Sequence, residues 1–514
     1  MSAASIPNVR SISALWVATL GIVASVFLVL LGGLLGLGNH RPAVALALLT
    51  LALLGYVQLV FRGGLLRDWP FWFTLFAMFA ASWIKPLAST DLGFVVELAI
   101  LAMFPLALLR LLPEIRHSAS FRLLLVALCV VEIAGAASSW VARPHLLAAL
   151  YSWVSHLKLF AMLAFGVCLR WSDTTERWFW RLIAWAWIPL LAMALFQVLL
   201  PGVFYSIFSF NLTRLSRMNH FFGALPAVNG GLHHPAMLAN VCAMFALFAT
   251  ARALWTEGRS CVVAIPIYLG LMVLSGQRQE SLVAFLVISL LMFLWYRPRA
   301  TGQLLLTGSI VCGVLAGVLW LGFPDLVHEF LAGVGLTGYG RVDQARTVLY
   351  GDAVALANSR WPLGTGWGSF ASEGAVRFDP RLFYQLGYPS FWWFGKEQFL
   401  LDSYWARYIA ELGWIGFVAM IVAVLVMLAW AWHWVRVAPD QRTRAYAGMG
   451  MGGMLYGVLT SPTSFVMVEP MFGMLAFVFL GYAYQLYRTT SKPLIKGAAF
   501  DGRGEQEVLR CSSP

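Results

Sequence analysis

Long apolar runs recur along most of this chain and leave few folds open to it. Runs of about 17–25 residues, each able to cross a bilayer as a helix, alternate with short polar segments. A helix satisfies its own backbone hydrogen bonds in lipid. Hydrophobic residues make up 60% of the chain and the mean hydropathy is +0.77, which argues against a soluble enzyme. We therefore expect an all-α polytopic integral membrane protein.

These runs predict about fourteen transmembrane helices, with twelve as the lower bound. The first run is too long for the apolar core of a signal peptide and no cleavage site follows it, so we expect a retained helix. The third, ninth and tenth runs are short or interrupted. The predicted spans are 12–37, 43–61, 69–84, 92–110, 123–141, 147–169, 180–200, 233–251, 261–274, 281–296, 303–322, 404–433, 445–461 and 467–487.

The basic residues indicate how the spans are oriented. The net charge is +12, but lysines and arginines stand singly between apolar runs, which is the positive-inside pattern and not a nucleic-acid surface. They concentrate in alternate loops and in both tails, so we expect both termini in the cytoplasm and no nucleic-acid partner. The six cysteines show neither metal spacing nor a disulfide framework.

The predicted topology gathers the informative polar residues on the outer face. Segments 201–232, 275–281, 323–403 and 461–464 all fall there. The chain then divides into N-terminal helices (1–200), central helices with outer turns (201–322), a large outer loop (323–403), C-terminal helices (404–487) and a disordered cytoplasmic tail (488–514).

One short outer turn carries charge where the neighbouring sequence is almost wholly apolar. This segment, SGQRQES at 275–281, contains Arg278 and Glu280. A charge at the bilayer centre would cost roughly 3 kcal/mol. Two interpretations stay open: Arg278 caps its span or snorkels to the surface, or it serves chemistry on the outer face.

The large outer loop is predicted to be partly helical. Apolar residues recur at helical spacing over 343–358, and Trp361-Pro362 would end that helix. Gly364 and Gly366 follow in GTGWGSF, where they permit a tight turn that either only connects or also lines a cavity.

The end of the loop is strongly aromatic. Trp392 and Trp393 lie in RLFYQLGYPSFWWFGKEQF. Such residues suit an anchor at the membrane interface. The alternative is a platform that binds sugar rings or a polyprenyl chain.

Ionisable residues also occur within predicted spans. His156 and Lys158 lie inside 147–169, and intramembrane ionisable side chains indicate function. Glu411 either stabilises the top of its span or takes part in catalysis. His233 and His234 are a poor metal pair, because adjacent helical side chains point about 100° apart.

The order of these motifs resembles the bacterial O-antigen ligase and polysaccharide polymerase superfamily. An arginine in a serine-led outer turn is followed by a large outer loop with RTVLYGDAVALANSRWPLGTGWGSF, and then by LDSYWARYIAELGWIGF running into a span. RMNHFFGALPAVNGGLHHPAMLAN matches the family's upstream outer segment. The resemblance covers roughly 205–435, and the earlier spans match only as generic helices.

The resemblance implies which residues form the site. Arg278 occupies the position of the family's turn arginine. Arg346, four residues before Tyr350, matches the arginine that precedes the P-x-x-G-x-G stretch. Arg217 matches the upstream arginine, with Arg214 as a competitor, and Arg341 is a second candidate with poorer spacing. The alternative interpretation of Arg346 is that it is only a charge on the surface of a helix.

The departure from the ligase pattern is at Asp402. Ligases carry a His-Asn pair about nine residues before the glutamate of E-x-G-x-x-G. That glutamate is Glu411 here, and Asp402-Ser403 stand at the positions of the pair. An aspartate there resembles the exopolysaccharide polymerase branch. The competing interpretation makes Asp402 the N-cap of the next span.

The family reaction requires cations on the outer face. The leaving group is a polyprenyl pyrophosphate, whose developing charge needs a metal ion or fixed cations. The outer segments carry no DxD pair, and arginine matches phosphate oxygens bidentately. We therefore expect an enzyme that needs neither metal nor cofactor, in which Asp402 takes the acceptor proton or orients an arginine.

The predicted function is polymerisation of polyprenyl-pyrophosphate-linked oligosaccharide repeat units into an exopolysaccharide, capsule or O-antigen chain. The expected location is the bacterial inner membrane, with a periplasmic active site. Candidate partners beyond the lipid-linked substrate and the bilayer are a flippase and a chain-length regulator. The alternatives are a ligase that transfers glycan to a lipid or protein, a lipid-linked oligosaccharide flippase, and a structural subunit of a secretion complex. Polar residues gathered on one face favour an enzyme over a transporter.

Overall fold

The computed structural model describes residues 119–207, 227–232, 234–256, 258–296, 345–395, 400–401, 403–464, 466–467 and 473–500. Within these ranges all regular elements are helices and none is a strand. All of them belong to one compact unit, Leu75–Pro514, while the second unit, Met1–Thr74, lies outside the described residues. The described part of the chain therefore confirms the helical class.

The described residues form fourteen α-helices, three of which lie in the loop between 345 and 395. In chain order they are α1 (Ala119–Ala142), α2 (Leu146–Cys168), α3 (Asp173–Trp185), α4 (Trp187–Leu199), α5 (Pro201–Ile207), α6 (Pro235–Thr256), α7 (Arg259–Leu274), α8 (Arg278–Tyr296), α9 (Ala345–Ser359), α10 (Glu373–Phe378), α11 (Arg381–Gln385), α12 (Tyr404–Val437), α13 (Gln441–Thr460) and α14 (Gly473–Phe500).

Six segments of the described residues are long and apolar enough to cross a membrane. They are Phe121–Ala142, Leu146–Cys168, Asp173–Leu199, Pro235–Thr256, Arg278–Tyr296 and Tyr404–Val437. Each overlaps a predicted span, so the multi-pass prediction is confirmed in this coarser form. The predicted spans 12–37, 43–61, 69–84, 92–110 and 303–322 lie outside the described residues.

Local sequence signals explain several helix boundaries. Ser172 accepts a hydrogen bond from the Thr175 backbone N–H at 3.2 Å and so caps α3. The predicted helix over 343–358 is confirmed as α9, which ends before Trp361-Pro362. The last helix, in contrast, continues to Phe500, beyond the predicted start of the polar tail at 488.

Small residues allow the closest helix crossing. Helices α2 and α14 pack on each other, with Gly166 facing Gly481. A Cβ at Gly481 would lie 3.0 Å from the Cα of Gly166, so side chains here would force the helices apart. Helices α6 and α12 complete the bundle against α13, and α1 packs on α12.

The bundle has two chemically distinct ends. Helix α13 runs about 30 Å between them, from Arg442 to Thr460. We call one the loop end, where residues 345–395 contact the ends of α1, α2 and α12. We call the other the Arg442 end, where Glu176, Arg442 and Tyr482 meet.

Candidate functional site

Two sequence motifs at the loop end dock on each other through a break in helix α12. Gly413 adopts φ 67° and ψ −174°, so the helix is interrupted within the Glu411-Leu412-Gly413 stretch. A break frees the carbonyls of the preceding turn. The carbonyls of Ala410 and Glu411 accept hydrogen bonds from the backbone N–H groups of Thr365 (2.7 Å) and Gly366 (2.9 Å).

The glycines of the GTGWGSF stretch are required by that docking. A Cβ at Gly364 would overlap the backbone of Ala410 and Glu411. Gly366 has φ +87°, and a Cβ there would lie 2.7 Å from the Cα of Ser139. The turn is therefore pressed between α1 and α12. Neither glycine lines the cleft described below.

Serines of helix α1 fix the other side of the same turn. Ser138 Oγ accepts a hydrogen bond from the Gly364 N–H, and Ser139 Oγ accepts one from the Trp367 N–H, both at 2.9 Å. A buried backbone N–H left without a partner would be costly. The turn is thus hydrogen-bonded to two helices, as a rigid support requires.

A buried ion pair holds the segment that follows. Arg407 Nε lies 3.2 Å from Glu411 Oε2. The other oxygen, Oε1, accepts hydrogen bonds from Ser372 Oγ (2.7 Å) and from the Phe370 N–H (3.2 Å). Arg407 Nη2 donates to the Ser152 carbonyl at 2.6 Å. Both charges are satisfied by named partners, as burial demands.

A polar cleft opens beside this ion pair, between α2, the start of α10 and the start of α12. Its walls carry three serine hydroxyls, two tyrosines, one carboxylate and one guanidinium. The lining residues are Tyr151, Ser152, Ser155, Ala371, Ser372, Glu373, Leu401, Tyr404 and Arg407. Because Arg407 is committed to Glu411, the cleft is hydroxyl-rich and not strongly cationic.

The turn after α13 joins three segments that the sequence singled out. In this 460–464 turn, Gln279 Nε2 donates to the Thr460 carbonyl at 3.4 Å, and Thr463 Oγ1 donates to Gln279 Oε1. The hydroxyl of Tyr350 donates to the Pro462 carbonyl at 2.9 Å.

The same turn also contacts the start of α12. Its Ser461 carbonyl accepts a hydrogen bond from the Tyr404 N–H at 3.3 Å. Gln279, Tyr350 and Tyr404 therefore meet at one turn. They lie close in sequence to Arg278, Arg346 and Asp402, respectively. Tyr404 belongs both to this contact and to the cleft wall.

Arg278 and Arg346 are close in sequence to the residues that bond to this turn. Arg278 is the exposed first residue of α8, next to Gln279. Arg346 precedes Tyr350 by four residues, so the two side chains share one face of α9. Burial raises the pKa of Tyr350, and the nearby charge of Arg346 opposes that rise.

The remaining predicted site residues have different outcomes. Trp393 is fully buried and stacks on Phe391 with ring centroids 5.1 Å apart, so it offers no ring face to a sugar. Trp392 is 53% exposed and can serve either as an anchor or as a platform. Asp402, Arg217 and Arg341 lie outside the described residues. The N-cap residue of α12 is Ser403, which follows Asp402.

An anchor between the loop and helix α2 completes the site's support. Asp379 Oδ2 accepts a hydrogen bond from the His145 N–H at 2.8 Å, just before α2 begins. Hydrogen bonds from Arg381, at 2.6 and 2.8 Å, hold the pKa of Asp379 below its usual range, and the His145 N–H adds to that effect.

Sequence reasoning noticed His156 and Lys158 but missed their surroundings. Both are buried in α2. His156 Nδ1 lies 2.9 Å from the Tyr408 hydroxyl, and its Nε2 lies 3.4 Å from Glu132 Oε1. Glu132 sits within the predicted span 123–141, where an acidic residue is itself a signal of function.

Other missed residues had weaker signals. Arg407 and Glu411 are four apart on a predicted helix, a spacing that favours an ion pair. Gln279 and Glu373 gave no signal beyond lying in outer segments. Among the residues the structure describes, no three His, Cys, Asp or Glu side chains converge as a metal site would require.

Searches with protein-family models and against curated proteins found no match for this chain.

Proposed function

We propose that this protein is a glycosyltransferase that polymerises polyprenyl-pyrophosphate-linked oligosaccharide repeat units. The reaction takes place at the loop end, on the outer face of a bacterial inner membrane, with both termini in the cytoplasm. The observation that carries the proposal is the 460–464 turn, which hydrogen-bonds to Gln279, Tyr350 and Tyr404. Each of these residues lies within four positions in the sequence of a residue that the family resemblance assigns to the site: Arg278, Arg346 or Asp402.

The charges at this junction suit the leaving group. An acceptor hydroxyl oxygen attacks the anomeric carbon of the lipid-linked sugar, the bond from that carbon to the pyrophosphate oxygen breaks, and the pyrophosphate leaves with the electron pair. Arg278 and Arg346 stabilise the negative charge that develops on its oxygens. Guanidinium groups stay charged at all working pH values and bind phosphate through two parallel hydrogen bonds.

The neighbouring cleft suits a sugar acceptor. Serine and tyrosine hydroxyls and the carboxylate of Glu373 provide both donors and acceptors for sugar hydroxyls. Its Arg407 is paired with Glu411 and does not compete for phosphate. Leu401 and Tyr404 line the cleft on either side of Asp402 in sequence, which favours a site that includes Asp402.

The proposal is tested first on Arg278. Arg278→Ala should lower turnover of lipid-linked oligosaccharide about 10²–10³-fold in the purified full-length protein. Arg278→Lys keeps the charge but loses the fork, so turnover should fall less. Arg436→Ala, at the exposed end of α12 away from the loop, is the control. Equal, small losses of turnover at both positions would rule out a role for Arg278 in binding the pyrophosphate.

Asp402 is tested by substitutions that preserve helix capping. Asp402→Asn and Asp402→Ser should both lose polymer while the protein still inserts in the membrane, because neither supplies a carboxylate. Because Ser403 is the N-cap, both should be tolerated structurally. Asp402→His, the residue type of ligases, should retain part of the activity. If the Asp402→Asn and Asp402→Ser variants make polymer of normal chain length, Asp402 is not part of the site.

Metal dependence and acceptor type are tested in the same assay. A chelator should leave turnover largely intact. A loss of turnover that magnesium or manganese restores would contradict the proposal that arginines, and not a metal ion, stabilise the pyrophosphate. Deletion of the gene should abolish polymer and accumulate single lipid-linked repeat units. Accumulation of lipid-linked polymer instead would identify a ligase.

A further inference from the structure

A chain of four side chains, joined by two hydrogen bonds and one longer charge contact, leads from the cleft into the helix bundle. The Tyr404 hydroxyl donates to the Tyr408 hydroxyl at 3.2 Å, and the Tyr408 oxygen lies 2.9 Å from His156 Nδ1. His156 Nε2 lies 3.4 Å from Glu132 Oε1. Three of these four side chains are buried, and the carboxylate of Glu132 is 32% exposed.

From this geometry we infer that the Glu132–His156 pair, reached through Tyr408 and Tyr404, is the proton acceptor of the cleft. The inference rests on the proposed function, since it deals with the proton that the acceptor hydroxyl releases. It leaves Asp402 the role of orienting an arginine.

The direction of the hydrogen bonds fits this role. Tyr404 donates to Tyr408, so the Tyr408 proton is left to point at His156 Nδ1. An Nδ1 that accepts requires the proton of neutral histidine on Nε2, where it faces Glu132. Glu132 Oε2 in turn accepts a hydrogen bond from Trp153 Nε1 at 2.7 Å, which fixes the carboxylate.

The transfer balances without any redox step. The sugar hydroxyl gives its proton to the Tyr404 oxygen as that oxygen passes its own proton to Tyr408, and Tyr408 protonates His156 Nδ1. The resulting imidazolium and the Glu132 carboxylate form an ion pair, which is favoured over two separate charges in the low-dielectric interior. After product leaves, the proton returns to the cleft along the same path.

Other charged groups and one aromatic ring also lie near His156. From α12, Arg407 lies over the ring of Tyr408 at 5.6 Å and is itself paired with Glu411. From α2, Lys158 is buried two residues along. The uncharged Trp367 ring of the loop packs 5.1 Å from the imidazole.

The first measurement determines the tautomer and the contacts of His156 without any glycosyl transfer. Full-length protein labelled with ¹⁵N-histidine is studied by NMR in lipid nanodiscs, and His156→Gln identifies the His156 signals. We expect the Nε2–H tautomer in the neutral state. Glu132→Gln should shift the Nε2 signal of His156, because this nitrogen lies 3.4 Å from Glu132 Oε1 in the wild-type protein. An Nδ1–H tautomer, or an Nε2 signal that is unchanged in Glu132→Gln, would overturn the inference.

The second measurement reads the role in turnover. Tyr408→Phe, which breaks the chain, should lower turnover about 10²-fold or more. His156→Ala should lower turnover by a similar factor, and added imidazole should restore part of it. Glu132→Gln should cause a smaller loss, because the imidazolium then forms without its carboxylate partner.

Matched variants separate this role from mere packing. His433 is exposed on α12, far along the helix from the loop end, and His433→Ala should leave turnover unchanged with or without imidazole. Wild-type turnover in His156→Ala, or a loss that imidazole does not restore, would overturn the inference. A wild-type protein that transfers no glycan from any lipid-linked donor would instead overturn the proposed function, while the NMR signals of His156 still decide whether the chain is built as described.

Discussion

Helix α13 joins two ends of the bundle that use charge in different ways. At the Arg442 end, Glu176 Oε2 lies 2.6 Å from Arg442 Nη2, and Glu176 Oε1 accepts a hydrogen bond from the Tyr446 hydroxyl at 2.9 Å. Arg442 also donates to the Tyr482 hydroxyl at 2.9 Å. These contacts join α3, α13 and α14, so this carboxylate links helices to helices.

The loop end uses its buried carboxylate to bind a loop. Glu411 pairs with Arg407 in its own helix and accepts hydrogen bonds from Phe370 and Ser372. The cleft opens directly beside this pair. Arg278, which is exposed, directly precedes Gln279 in the sequence. The comparison indicates that charge at the Arg442 end serves architecture, while the loop end combines a rigid support with polar groups open to a ligand.

The largest expected effect is an all-or-none difference in labelling between the two ends. In a cysteine-free version, single cysteines at the exposed positions Ser359 and Ser390 should react with an impermeant reagent on intact cells. Cysteines at Thr174 and Gln441, exposed at the Arg442 end, should react only after the membrane is permeabilised. Labelling in the reverse order would invert the topology and move the proposed site to the cytoplasm.

The next largest effect is on stability at the loop end. Glu411→Ala leaves the buried Arg407 without its carboxylate, which should cost about 3–5 kcal/mol of unfolding free energy. Proteolysis within 363–373 should accelerate at the same time. Glu373→Gln, whose pair with Arg377 is partly exposed at 3.6 Å, should cost less than about 1 kcal/mol. Similar losses in both variants would refute the special role of Glu411.

A smaller loss of stability is expected at the Arg442 end. Glu176→Gln removes the charge that Arg442 and Tyr446 contact, which should cost about 1–3 kcal/mol. Turnover per folded molecule should stay at the wild-type level, because the cluster lies about 30 Å from the loop end. The two readouts are thermal unfolding in detergent and glycan transfer normalised to folded protein. A fall in normalised turnover would contradict the conclusion that charge at the Arg442 end serves only the architecture.

The smallest effect concerns acid sensitivity at Asp379. Hydrogen bonds from Arg381 lower the pKa of Asp379 in the folded protein, so its contribution to stability is complete above the ordinary aspartate value of about 3.9. That contribution should disappear as the pH falls through the lowered value. Asp379→Asn should abolish this acid-dependent part of loop release, measured by proteolysis of 373–385. An identical acid profile in both proteins would contradict the assignment.

The sequence was sufficient for the helices and for one of the shorter elements. Apolar runs predicted the spans that appear as α1, α2, α6, α8 and α12, and helical spacing predicted α9. These succeed because burial in lipid and helical periodicity depend on residues close together in the chain. The boundary of the cytoplasmic tail stays a prediction, and residues 488–500 continue α14 in spite of their composition.

The site was only partly readable from the sequence. Arg278 and Arg346 were identified as candidates, but nothing in their local sequence shows that one turn at 460–464 lies beside both segments. Trp392 and Trp393 look equivalent in sequence, yet one is exposed and the other is fully buried. The difference depends on which residues from elsewhere pack around each ring.

The sequence by itself determined a multi-pass helical protein, because hydropathy acts segment by segment. Only the tertiary structure decided that the glycine turn docks on the broken helix at Gly413, and that Glu132, His156, Tyr408 and Tyr404 form one chain. Glu132 and Tyr408 are 276 residues apart in the sequence numbering. Contacts of that separation arise from helix packing, and local patterns of hydrophobicity carry no record of which polar side chains that packing brings within hydrogen-bonding distance.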